Sequence, residues 1–84
     1  GACSTTGHGE AMIRVCLAKG AIDAARFTTA KDAIEGVLLH MQERTAQTGG
    51  AILVRADGSL GLARSTKTMS WAAATGDGSR QSGA

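Results

Sequence analysis

The sequence predicts an α+β domain in which two antiparallel helices pack on a small, mainly antiparallel sheet. Two observations favour this class. Two segments with the apolar spacing of helices follow one another directly, and an Asp-Gly pair later separates two short apolar runs. The chain has 84 residues, which is room for one small domain. The predicted order is strand, helix, helix, strand, strand.

The N-terminal half accounts for the first strand and the first helix. Residues 2–6 are small and tolerate extended backbone, so they predict a short strand, and Gly7-His8-Gly9 then ends any regular pattern. A helix is predicted from Glu10 to about Arg26, because apolar residues recur at i, i+3 and i+4. Gly20 indicates close packing or a break there, since glycine costs about 1 kcal/mol relative to alanine inside a helix.

The second helix is predicted from about Thr29 to about Thr45. Thr29 followed by Asp32 resembles a capping box, and the segment after them has one apolar face. Gly49-Gly50 is expected to stop the helix, because glycine is common at helix C-termini.

The C-terminal segments predict a hairpin. Residues 51–56 and 59–65 flank Asp57-Gly58, which is expected to form a two-residue turn. Gly61 and Ala63 leave one face of the second strand small, so another element is expected to pack closely there. Residues 69–74 include Trp71 and predict a further strand or a docking segment. The segment from Thr75 onward is expected to be mobile.

Composition excludes several classes of protein. No apolar run approaches the roughly 20 residues of a membrane-spanning helix, and a net charge of +2 is too small and scattered for nucleic-acid binding. Cysteine and histidine show no metal-ligand spacing, so neither a metal nor another cofactor is expected. Cys3 and Cys16 are expected to be small buried hydrophobes. The absence of a secretory signal and of paired cysteines predicts a cytoplasmic location.

The stretch from Ser4 to Glu10 is the best candidate for chemistry. It predicts a strand, a glycine-rich turn and a helix start, where backbone N–H groups and a threonine hydroxyl could bind an anion or stabilise an oxyanion. The alternative is that the glycines serve only the geometry of the turn. His8 could act as a general base or be a simple turn residue, and His40 is expected to be a partly exposed helix residue.

The same residues resemble the plant-type L-asparaginases, also called isoaspartyl peptidases, which are N-terminal-nucleophile hydrolases. The sequence Ser-Thr-Thr-Gly-His-Gly-Glu at 4–10 carries the resemblance. Residues 49–54, Asp57-Gly58 and residues 65–73 follow in the order and spacing of the family, so the similarity runs from Gly1 to about Asp77.

The resemblance implies an αββα sandwich of which this chain would form one half. Residues 1–77 would be the C-terminal part of a β subunit made by self-cleavage, and residues 78–84 a flexible tail. The Thr6 side chain and the Gly7 N–H would form the oxyanion hole, and the backbone at Gly7 and Gly9 would lie beside the α-amino group of the substrate. The family's nucleophilic threonine has no counterpart among these residues.

The implied reaction is hydrolysis of the side-chain amide of L-asparagine or of a β-aspartyl peptide bond. The expected partners are the preceding part of the β chain and the α chain, in an oligomer of αβ units, so this chain alone is expected to be inactive. Neither nucleic acid nor membrane is expected as a partner. The alternatives are a truncated, non-catalytic binding or interaction module and a free-standing anion binder that uses Gly7–Gly9.

Overall fold

A computed structural model describes all 84 residues, as three helices and five strands. In chain order the elements are β1 (Ala2–Gly7), α1 (Gly9–Val15), α2 (Leu17–Ala24), α3 (Ala30–Thr45), β2 (Gly49–Val54), β3 (Leu60–Arg64), β4 (Trp71–Ala74) and β5 (Arg80–Gly83). The predicted α+β class is confirmed.

The main sheet has three antiparallel strands in the order β1-β2-β3. The buried strand β2 is therefore central, and β1 is an edge strand. Gly7 is opposite Gly49 at one end of the β1–β2 ladder, and Ala2 is opposite Val54 at the other. This register places the end of β1 beside the start of β2.

The helices cover one face of this sheet and form the core with it. Ile34 and Met41 of α3 are fully buried, and Ala51 and Leu53 of β2 are 1% exposed. The strand β3 touches α3 directly, because a Cβ atom on Gly61 would lie 2.4 Å from the carbonyl carbon of Ala30. The predicted close packing against the small residues of β3 is thus confirmed.

The single helix predicted over residues 10–26 is wrong, because the helix is broken at Cys16. That residue has φ +50° and ψ +53°, the left-handed conformation in which an α-helix cannot continue. It is also exposed, contrary to the prediction of a buried thiol, whereas Cys3 is half-buried. Gly20 does not break the helix; a Cβ atom there would meet Val37 of α3 at 3.6 Å.

The helix α3 forms as predicted, but it ends differently. The Thr29 hydroxyl accepts a hydrogen bond from the N–H of Asp32 at 3.1 Å, which caps the helix start. The helix ends at Ala46, which has φ +58°. Gly49 and Gly50 do not stop the helix; they are the buried first residues of β2.

The hairpin between β2 and β3 has a three-residue loop in place of the predicted two-residue turn. The N–H of Gly58 donates to the carbonyl of Arg55 at 2.9 Å, and that of Arg55 donates to Ser59 at 2.9 Å. Gly58 has φ +87°. This is a type I turn followed by a left-handed residue, a common hairpin connection.

A second hairpin, formed by β4 and β5, follows the main sheet. Its turn has the same form as the first one. The N–H of Gly78 donates to the carbonyl of Thr75 at 3.0 Å, and Gly78 has φ +89°. The strand β5 lies where the sequence predicts a flexible tail over residues 78–84. All four of its residues are exposed, so no apolar pattern marks it as a strand. The division of the chain at residue 77 stays a prediction.

Two further properties concern binding. None of the three helices combines the length and the apolar character that a membrane crossing requires. No group of three or more His, Cys, Asp or Glu side chains comes together in a way that could hold a metal ion.

Candidate functional site

The candidate site lies where the edge strand β1 ends and α1 begins. Thr6 and Gly7 are the last residues of β1, and Gly9 is the first residue of α1. All three are exposed and line one open cavity of about 590 Å³. The other lining residues are Thr5, Met12, Ile13, Cys16, Leu17, Ala18 and Lys19. The three residues singled out by sequence are thus brought together.

The backbone N–H of Gly7 points toward the open edge of β1. Just beyond the strand, the N–H of His8 donates to the carbonyl of Thr48 at 3.4 Å. Hydrogen-bonded and non-hydrogen-bonded pairs alternate along an antiparallel ladder. Because His8 forms a hydrogen-bonded pair with Thr48, Gly7 and Gly49 form a non-hydrogen-bonded pair. Thr6 and Gly50 are again a hydrogen-bonded pair. The Gly7 amide therefore faces away from β2 and is available to a ligand.

The backbone conformation of Gly7 can be adopted only by glycine. Its φ is +125°, which L side chains rarely reach. A Cβ atom would also lie 2.7 Å from the Cα of Gly49, 2.9 Å from the methyl group of Met12 and 2.9 Å from the carbonyl oxygen of Thr48. The close approach of two backbones thus fixes the Gly7 amide.

The Thr6 side chain lies on the face of the sheet opposite the helices. Side chains alternate along a strand, and Cys3 and Thr5 are the half-buried residues of β1 on the helix side. Across the ladder from Thr6 is Gly50, which is covered by Met69. A Cβ atom on Gly50 would be 2.3 Å from the Met69 sulfur. The Thr6 side chain therefore lies on the outer face of the sheet, one residue before the Gly7 amide.

The residues after Gly7 form the start of α1. The Nδ1 atom of His8 accepts a hydrogen bond from the N–H of Ala11 at 3.3 Å, so His8 caps this helix. That role agrees with a turn residue and leaves the general-base alternative without geometric support. No atom outside its neighbours would lie within 4 Å of a Cβ atom on Gly9, so the backbone there is open to a ligand.

The site offers hydrogen-bond donors and little else. Its only titratable lining side chains are Cys16 and Lys19. The Lys19 ammonium donates to the Asp23 carboxylate at 2.7 Å, and this hydrogen bond raises the pKa of Lys19. The arrangement can stabilise a negative charge through Thr6 and Gly7, but no general base lies beside Thr6 to activate it as a nucleophile.

Sequence comparison identifies the family. The model of the asparaginase family matches residues 1–84, the complete chain. The chain belongs to the asparaginase family.

Curated relatives agree with this assignment. An isoaspartyl peptidase/L-asparaginase of Bos taurus is 37% identical over 84 residues, which is 99% of this chain and 27% of the relative. The enzyme of the same name from Xenopus laevis is 37% identical over 78 residues, 92% of this chain and 25% of the relative. The enzyme of the same name from Homo sapiens is 36% identical over 75 residues, which is 88% of this chain and 24% of the relative. This asparaginase-family chain spans about a quarter of the length of these relatives.

Three residues near Gly7 are not predicted from the sequence: Met12 and Gly49 lie against Gly7, and Ser65 binds Gly49. Met12 carries no sequence signal beyond that of an apolar helix residue, and Gly49 is predicted only as part of a helix stop. Ser65 belonged to a segment noted for the resemblance alone, yet its hydroxyl bonds to Gly49. The signal was present for Gly49, because a Gly-Gly pair at the start of an apolar strand indicates close backbone contact as well as a helix end.

Proposed function

We propose that this chain is the part of an isoaspartyl peptidase/L-asparaginase that supplies the oxyanion hole. The substrate would be the side-chain amide of L-asparagine or a β-aspartyl peptide bond. When a nucleophile attacks the carbonyl carbon, negative charge develops on the oxygen, and the Thr6 hydroxyl and Gly7 N–H would donate hydrogen bonds to it. Donors fixed before the reaction lower the barrier because they need no reorganisation.

The observation that carries this proposal is the outward direction of the Gly7 amide beside the Thr6 side chain. Both groups belong to the edge strand β1: the Gly7 amide points out of its free edge, where Thr6 and Gly7 line the cavity, and the Thr6 side chain lies on the outer face next to this edge. Gly9 follows at the same rim, and its unobstructed backbone suits contact with the substrate's α-amino group. The family membership supports the same reading of these residues.

The rest of the catalytic apparatus would come from outside this chain. We infer that a threonine nucleophile, freed by self-cleavage of a precursor, approaches the cavity from another segment, with its own α-amine as the base. The complete molecule would then be an αββα sandwich built from α and β subunits, with this chain in one half. The outer face of the present sheet supports this arrangement, because it carries exposed apolar side chains: Ile52, Val54 and Leu60.

The replacement of Thr6 by alanine tests the proposal. In the protein produced from its complete coding sequence, Thr6→Ala is expected to lower kcat by about 10²–10³, the usual cost of one oxyanion donor. Ser4→Ala is the matched control, because Ser4 lies two residues earlier on the same exposed face of β1. Hydrolysis of L-asparagine and of a β-aspartyl dipeptide would be measured. A Thr6→Ala protein with the kcat of the wild type would contradict the proposal.

A second candidate function is supported by the same outer face. Ile52, Val54 and Leu60 are each more than 40% exposed, and such a patch on a sheet favours association with another protein. In this view the chain is a non-catalytic interaction module, and it is expected to self-associate when expressed alone. Sedimentation of the double variant Ile52→Thr, Leu60→Thr is expected to show less association.

The control for that experiment is Phe27→Ser. Phe27 is 87% exposed but follows α2, away from the sheet face. The substitution Phe27→Ser removes a large exposed apolar group without changing the outer face. A chain that sediments as a monodisperse monomer and unfolds cooperatively would count against the interaction module.

A further inference from the structure

We propose that Ser65 is a positioning residue, which holds the Gly7 amide in place through Gly49. This inference rests on the proposed role of Gly7 as an oxyanion donor. Ser65 follows β3 and is 16 residues away from Gly49 in sequence. It does not line the cavity beside Gly7, so its effect on the reaction would pass through the backbone of Gly49.

Ser65 binds Gly49 with three hydrogen bonds. The backbone N–H of Ser65 donates to the carbonyl of Gly49 at 2.8 Å. The Ser65 hydroxyl accepts from the N–H of Gly49 at 3.0 Å and is within donor distance of the Gly49 carbonyl, at 3.2 Å. The hydroxyl thus takes the place of a strand carbonyl as the acceptor for Gly49. Side chains of serine compete in this way with regular ladder bonds.

Gly49 in turn lies directly against Gly7. The two glycines are opposite each other in the β1–β2 register as a non-hydrogen-bonded pair, the closer of the two kinds of pair. The space between them is full, because a Cβ atom on Gly7 would lie 2.7 Å from the Cα of Gly49. A shift of Gly49 is therefore passed on to Gly7 by contact.

The side of Gly49 that faces the helices is closed as well. A Cβ atom there would be 2.8 Å from the methyl group of Met12 and 2.9 Å from that of Met41. The Met12 methyl group also lies under Gly7. The methionines pack against the helix-facing side of Gly49, and Ser65 pairs with it at the end of the ladder. Only one position of Gly49 therefore fills the space and keeps the hydrogen bond of its N–H. Removal of the hydroxyl leaves that buried N–H without its acceptor, and the backbone must move to find another.

The test compares three variants of the protein produced from its complete coding sequence. Ser65→Ala removes the hydroxyl, and Ser65→Thr restores it. Ser59→Ala is the matched control, because Ser59 lies at the other end of the same hairpin and its hydroxyl donates to Asp57. For each variant kcat and KM are measured on L-asparagine and on a β-aspartyl dipeptide.

A structural readout accompanies the kinetics. Labelling with carbonyl-¹³C threonine and ¹⁵N glycine selects the amides of Thr-Gly pairs, which in this chain are those of Gly7, Gly49 and Gly76. The first two report on the proposed contact. Gly76 lies in the distant turn between β4 and β5 and serves as an internal reference.

The positioning role predicts that Ser65→Ala shifts the amide signals of Gly7 and Gly49 and leaves that of Gly76 unchanged. It also predicts a fall in kcat of about 10- to 100-fold with KM within about two-fold, because a small misplacement of a catalytic group is costly in the transition state. Ser65→Thr is expected to restore both kcat and the signals, and Ser59→Ala to change neither.

Other outcomes separate this inference from the proposed function. If Thr6→Ala loses turnover while Ser65→Ala keeps both kcat and the Gly7 signal, the positioning role is overturned and the oxyanion hole stands. The positioning role also fails if Ser65→Thr does not recover kcat. If Thr6→Ala keeps full turnover, the proposed function fails. A shifted Gly7 signal in Ser65→Ala would then show only that Ser65 positions the Gly7 backbone through Gly49.

Discussion

At the scale of single residues, Gly7 combines a backbone conformation that favours glycine with a close contact to another backbone. Its φ of +125° and its contact with Gly49 both exclude a side chain. We expect Gly7→Ala to lower the free energy of unfolding by about 2–4 kcal/mol, the sum of backbone strain and overpacking. Urea denaturation measures this loss. Gly9→Ala is the control, because a Cβ atom there meets nothing within 4 Å. Equal stability of the two variants would contradict the contact.

Asp77 shows how a turn residue responds to pH. Hydrogen bonds from the Thr75 hydroxyl, and then from Ser79, lower the pKa of Asp77 to about 2. A carboxyl whose pKa is lower in the folded state stabilises that state above its unfolded pKa, near 3.8. This stabilisation of the β4–β5 turn is therefore complete above about pH 4 and is lost as the pH falls toward 2.

The prediction for Asp77 is that Thr75→Val raises its pKa toward 3.8. An NMR titration of the carboxyl carbons measures it. Asp57 is the reference within the same sample, because its pKa is lowered by Ser59, which the substitution does not touch. A wild-type Asp77 that already titrates near 3.8 would rule out the Thr75 hydrogen bond.

At the scale of the elements, the helix break at Cys16 sets the shape of the cavity wall. The left-handed residue lets α1 and α2 run as separate helices beneath the edge of β1. A residue with a side chain is unfavourable in this conformation, and glycine is not. We expect Cys16→Gly to raise the free energy of unfolding by about 0.5–1 kcal/mol. Ala18→Gly, inside α2, is expected to lower it by about 1 kcal/mol. If both changes destabilise equally, Cys16 is not left-handed.

Local patterns predicted the elements whose signals are local. The helical spacing of apolar residues and the Thr29 cap identified α3, and small extended residues identified β1. The break at Cys16 could not be found in this way, because cysteine carries no turn signal and no glycine or proline marks the position. The strand β5 was missed for a related reason, since it is wholly exposed and pairs only with β4.

The same limit applies to the site. Thr6, Gly7 and Gly9 are close together in sequence, so one motif pointed to them. Ser65 reaches the site only through a contact across 16 residues, which no spacing rule reveals. Gly49 was visible as a glycine, but its close partner became clear only from the strand register.

At the scale of the whole molecule, the chain is a sheet with one face covered by helices and one open face, of which Met69 covers only the part at Gly50. The covered face is packed by α2 and α3, while the apolar side chains of the other face remain exposed. The Thr6 hydroxyl belongs to the open face, and the Gly7 amide belongs to the free edge next to it. A segment that covers this face and carries a nucleophile would come within reach of both donors, which is the arrangement that the proposed hydrolase requires.

The substitution Thr6→Val tests whether the Thr6 hydroxyl stabilises the oxyanion, as we propose. Valine keeps the branched shape and replaces the hydroxyl with a methyl group, so the size of this exposed side chain is retained. We expect kcat of the protein from its complete coding sequence to fall by about 10²–10³, while KM and the melting temperature stay close to those of the wild type. A Thr6→Val protein that hydrolyses both substrates at the wild-type rate would contradict it.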